Sequence, residues 1–107
     1  MATNVYVVLV TVPTPEEGEK VAKHIVEKRL CACVNIIGGV RSLYWWEGKI
    51  QDDSEALLII KTSEAVLEDL IGEVKRVHSY SVPEVIALPV ENGNDAYLLW
   101  VTKETER

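Results

Sequence analysis

Three stretches of this chain read as β-strands that are apolar on both faces. In residues 5–12, Val5, Val7 and Leu9 point one way and Tyr6, Val8, Val10 and Val12 the other. In residues 55–62, Ala56, Leu58 and Ile60 oppose Leu57 and Ile59. In residues 84–90, Val85 and Ala87 oppose Ile86 and Leu88. An antiparallel sheet with one wet face alternates apolar and polar side chains, and these strands do not. At about 25 cal/mol per Å² of apolar surface, leaving the second face in water forgoes several kcal/mol. Patches of that size mark interfaces. The chain is therefore expected to self-associate.

The rest of the chain frames those strands. Thr14-Pro15-Glu16-Glu17 is a capping box, with Pro at the first helical position. The helix it opens is expected to run to about residue 29 and to bury Val21, Ala22, Ile25 and Val26. Residues 32–37 read as a strand, Gly38-Gly39 as a bulge or bend, and residues 40–46 as its continuation. Glu47-Gly48-Lys49 is a turn, so residues 32–62 form a long hairpin. Ser63 is placed to cap a second helix whose apolar face is Val66, Leu67, Leu70, Ile71, Val74 and Val77. Asn94 caps a last helix carrying Tyr97, Leu98 and Val101. The order βαββαβ plus a terminal helix predicts an α+β, ferredoxin-like domain spanning residues 1–107. It has an antiparallel sheet with two helices on one face.

Charge and cysteine usage narrow the function. The net charge of −6 and the interleaving of Lys and Arg with acids predict no nucleic-acid partner. No aromatic RNA-binding strand and no glycine-rich phosphate loop is present. Cys31 and Cys33, one residue apart in a strand, would place their Cα atoms about 7 Å from each other, at the limit for a disulfide. Free thiols point to a reducing compartment. Met1–Pro15 lacks a basic leader and runs into Glu16 and Glu17, so it reads as neither signal peptide nor membrane span. A cytoplasmic location and no membrane partner are expected.

A set of ordered motifs carries a resemblance. Cys33, Ser42-Leu43-Tyr44-Trp45-Trp46-Glu47-Gly48-Lys49-Ile50, Lys61-Thr62, His78-Ser79-Tyr80, Pro83-Glu84 and Tyr97-Leu98-x-Trp100 together resemble the CutA family of divalent-cation tolerance proteins. The resemblance covers nearly the whole chain. It implies a homotrimer, similar in assembly to the PII signal proteins, in which sheets pack around a threefold axis and long hairpins pair between subunits. It also implies a non-enzymatic role in tolerance of divalent metals, notably copper. The copper ligands proposed for some members are a first-strand Cys and two adjacent His after the second helix. Here Val10 and Val77 stand at two of those places and His78 at the third.

Candidate site residues follow from both lines. Cys31 and Cys33 are soft ligands suited to Cu(I) or Zn, with Cys33 the candidate metal residue, or else at least one of them is a small buried hydrophobe. His78 either ligates a metal or bonds the free carbonyls at a helix end. His24 is expected on the solvated side of the first helix. Trp46, Lys61, Tyr80 and Glu84 form a second candidate, a ligand cleft between subunits that would suit a PII-like regulatory or small-ligand sensor. Lys61 ends one apolar strand and Glu84 begins another, so a buried Lys–Glu pair could bind a small polar ligand, or could link subunits. Asp52, Asp53 and Glu55 suit a hard cation or a solvated rim. No nucleophile, base and oxyanion set assembles, so no enzyme activity is expected.

Overall fold

The computed structural model describes residues 3–107. Four strands form one antiparallel sheet in the order β2-β3-β1-β4, the ferredoxin-like arrangement. They are β1 (Val5–Val12), β2 (Cys33–Trp46), β3 (Lys49–Ser63) and β4 (Val85–Pro89). Helices α1 (Pro15–Glu27) and α2 (Leu67–Val77) lie on one face, and α3 (Asp95–Glu104) follows β4. No helix among the described residues is long and apolar enough to cross a membrane.

The helix-covered face is the core. Val8, Val10 and Val12 of β1 and Ala56, Leu58 and Ile60 of β3 are buried against Val21 and Ile25 of α1 and Leu70 and Val74 of α2. The capping box forms, with Thr14 Oγ1 accepting from the Glu17 N–H at 3.1 Å. Helix α1 stops short of residue 29 because Arg29 turns left-handed at φ 56°. The Arg29 and Leu30 N–H groups then close back on the Val26 and Ile25 carbonyls, a Schellman end. Val26, expected in the buried stripe, is exposed. Ser63 does not cap α2. It is the last residue of β3, and a 3₁₀ turn at Glu64–Val66 intervenes. The Ser63 hydroxyl bonds Thr105 at 2.6 Å instead. Asn94 does cap α3, accepting from the Ala96 N–H.

The second face is open over most of its area. Strand pairing sets Cys33, Lys61, Val7 and Leu88 in one row and Asn35, Ile59, Leu9 and Ile86 in the next. Helix α3 lies against β3 and β1 and covers one end, where Val5 and Ser63 are buried. Ile86 and Leu88 remain 47% exposed, on a sheet whose opposite side is fully packed.

Strands β2 and β3 outrun the sheet. Only residues 56–63 of β3 pair with β1, so residues 40–46 and 49–55 continue as a two-stranded arm. The arm departs at a bulge between Ile37 and Val40, where Gly39 takes φ +73°. It ends in a two-residue turn with both Glu47 and Gly48 at positive φ, the pattern that suits a twisted hairpin. Leu43, Trp45 and Ile50 on this arm are each more than 60% exposed. An isolated two-stranded ribbon is marginal in water, so the arm and the open face make the same demand for a partner.

Candidate functional site

The segment between α2 and β4 is held by His78. This residue ends α2 in an extended conformation, and its side chain is fully buried. Its Nε2–H donates to the Thr11 carbonyl at 2.7 Å, and its Nδ1 accepts from the Tyr80 N–H at 3.0 Å. Both ring nitrogens are thus used within the chain. Glu17, in the first turn of α1, accepts from the Ser79 N–H and hydroxyl at 3.2 and 2.8 Å. These bonds pin the segment and aim Tyr80 across at β3, where its hydroxyl donates to Glu55 Oε2 at 2.8 Å. The rings of Tyr80 and His78 lie 4.8 Å apart, tilted at 39°. Burial, and then the bond to Glu55, push the Tyr80 phenol well above its usual pKa.

Between this segment and the base of the arm lies a groove of about 800 Å³. Trp46, Tyr80 and Glu84 line it, together with Tyr44, Arg41 and Glu55, which sequence reasoning did not place there. The Arg41 guanidinium is spent on Asp52 in a two-pronged pair at 2.9 and 2.6 Å. Tyr44 donates to Asp53 at 2.5 Å, which pushes its phenol up to about 12. The spacing of Asp53 and Glu55 along one strand was the available signal: both point to one side of the arm, the side that Tyr44, paired with Gln51, shares.

Lys61 is not in the groove. It sits six residues beyond Glu55 on β3, about 20 Å along the strand, opposite Cys33 and Val7. Its ammonium donates to the Asn35 side chain. The expected Lys61–Glu84 pair does not form. Glu84 is exposed and has no ion-pair or hydrogen-bond partner among the described residues.

The structure does not bring Cys33 and His78 together. Cys33 faces Lys61 in register, whereas the His78 ring is tied to Thr11, whose strand position is level with Leu57. Four residues of β3 separate those levels, about 13 Å. With both His78 nitrogens already bonded, the pair does not fit one shared copper ion within a chain. Cys31 and Cys33 are both free thiols. Cys31 is the buried hydrophobe, its thiol pushed up to about 12 by burial and then by Cys33. Cys33 is partly exposed, with its Sγ 3.5 Å from the Tyr97 hydroxyl. That contact holds the Tyr97 phenol up at about 12. His24 is not a free surface residue: it joins α1 to α2 through Glu73 at 2.5 Å. Among the described residues no three His, Cys, Asp or Glu side chains gather closely enough to hold a metal ion.

Comparison with known proteins places this geometry. The family model for CutA1 divalent ion tolerance protein matches residues 6–104. The chloroplastic CutA 1 protein of Oryza sativa is 54% identical over 99 residues, covering 92% of this chain and 56% of the relative. This chain thus spans about half the length of that relative. The divalent-cation tolerance protein CutA of Thermus thermophilus is 46% identical, covering 92% of this chain and 96% of the relative. The crystal structure of CutA1 from Oryza sativa superposes with a TM-score of 0.93 at 51% identity, covering 98% of this chain and 96% of that one. With the family model matching residues 6–104 and the fold superposing over nearly the whole chain, the chain belongs to the CutA1 divalent ion tolerance family.

Proposed function

We propose that this chain serves divalent-cation tolerance as a non-enzymatic homotrimer in the cytoplasm. The observation that carries the reading is the sheet's second face, apolar and open, continuous with an arm that has no support of its own. A closed ring of three copies covers the faces and pairs the arms. The name of the rice relative puts that protein in the chloroplast; the free thiols here favour a reducing compartment. Binding rather than catalysis is favoured because Tyr80 and Glu55, the two best-placed titratable groups of the groove, are bonded to each other. Burial and that bond keep the Tyr80 proton in place. Weak copper binding rests on the Cys33 thiol, with His78 acting as a structural prop.

Native mass spectrometry of wild type and Ile86→Glu tests the assembly. The wild type is expected at three times the chain mass, and the variant, which puts a charge on the open face, at the chain mass. A monodisperse wild-type monomer refutes the reading. Copper titration of Cys33→Ser and His78→Gln tests the metal arm: binding is lost in the first and kept in the second.

A second reading is favoured by the groove itself. Its volume lies within the range of small-molecule sites. In this reading the protein senses a small polar ligand held by Trp46, Tyr80 and Glu84.

A further inference from the structure

The groove has an unbalanced charge. Its one basic side chain, Arg41, is neutralised by Asp52 through two bonds. Glu55 is only 7% exposed, yet its hydrogen-bond partner is a neutral phenol. Glu84 has neither kind of partner. Neither of these two groove carboxylates lies within ion-pair distance of a cation among the described residues. A buried carboxylate such as Glu55 is ordinarily matched by a cation, whereas Glu84 stands exposed at the rim. Lys61, which the sequence offered for that role, is about 20 Å away along β3.

The walls of the groove are aromatic. Tyr44, Trp46 and Tyr80 all line it. Tyr44 and Trp46 present about two-fifths of their surface to solvent. Aromatic faces attract cations, Trp most strongly. Carboxylates beside aromatic faces select a positive charge carried on carbon-bearing groups, which can touch the rings while the charge meets the acids. A bare divalent ion gains less here, because it requires several oxygens converging at one point. No such group of three gathers among the described residues.

We infer that the groove between the arm and the α2–β4 segment binds an organic ammonium ion of about the size of a diamine. This rests on the second reading above, that the groove holds a ligand, and names its chemical class. Glu84 and Glu55 meet the ammonium charge, and Trp46 and Tyr80 hold the methylene chain. Anionic ligands are disfavoured by the same carboxylates.

Isothermal titration calorimetry on the full chain at low ionic strength tests this, with 1,4-diaminobutane and tetramethylammonium as cationic probes and citrate and Mg²⁺ as controls. Diamine binding that weakens about tenfold in Glu84→Gln or Glu55→Gln supports the inference, tenfold being the usual loss of one charged hydrogen bond. Glu84 is exposed and its substitution leaves the fold intact, which is checked by circular dichroism; Glu55→Gln keeps an acceptor for Tyr80. Binding that is unchanged in both variants, no heat from either ammonium probe, or tighter binding of Mg²⁺ at the same site overturns it. Citrate binding that is lost in Tyr80→Phe would overturn the cationic class while leaving the groove as a ligand site.

Discussion

Replacing His78 by alanine separates a prop from a metal ligand. The side chain is fully buried and makes two bonds, one to the Thr11 carbonyl and one from the Tyr80 N–H. A net hydrogen bond contributes about 0.5–1.5 kcal/mol, and each partner left without water costs more. Adding the void left by the ring, we expect a loss of about 2–4 kcal/mol. With a urea slope of about 1.5 kcal/mol per molar, the unfolding midpoint falls by about 2 M. The assay is urea denaturation of wild type and variant in the presence of a chelator, at one protomer concentration because association adds to apparent stability. Equal midpoints without metal would refute the reasoning, and a gap that opens only when copper is added would return His78 to the ligand set. The variant should also release Tyr80 from Glu55, since the anchor that aims the phenol is gone.

Two further outcomes follow from burial and charge. Leu58, fully buried in the centre of β3, is expected to cost about 3–5 kcal/mol when cut to alanine, read from the same urea midpoints. Glu73 bonds Arg76 and then His24, which together pull its carboxyl from 4.5 down to about 2. Its folded pKa is depressed, so its stabilisation is complete above about 4.5 and fades as the pH falls toward about 2. Thermal melts through that window should show the gap between wild type and Glu73→Gln narrowing with acid; a gap that widens would reverse the assignment.

Local signals in the sequence carried most of the fold. The β-branched run of β1, the Thr14 cap, the paired glycines at the bulge and the Glu47-Gly48 turn each impose a backbone conformation through nearest neighbours alone. What stayed hidden depends on distant partners. Residues 49–54 include Gln51-Asp52-Asp53-Ser54 and show no apolar alternation, yet they are strand because β2 pairs with them residue by residue. Ser63 has the chemistry of a cap, but Thr105 reaches its hydroxyl. His24 sits on the polar side of its helix until Glu73, from another helix, is placed beside it. In the candidate site, Trp46, Tyr80 and Glu84 share a groove, while Lys61 was misplaced for want of a distance: six residues of extended chain cannot be folded back within one strand. The burial of Glu55 is hidden in the sequence, because the tyrosine that covers it comes from beyond α2 and leaves no mark near residue 55.

The place of β1 in the sheet has a consequence for synthesis. It is bonded along one side to β3 and along the other to β4, although it is made before either. While the chain emerges, β1 can first join β3, once residues 56–63 are available, and its other edge stays bare until residues 85–89 appear. That edge runs through Tyr6–Val10, among the most β-prone residues of the chain. A nascent chain held in this state exposes an unpaired strand to other chains, the setting in which misassembly begins. The last strand to be made is therefore the one that closes the most hazardous edge of the first, and a pause in translation ahead of β4 should raise the demand for chaperones more than a pause after it.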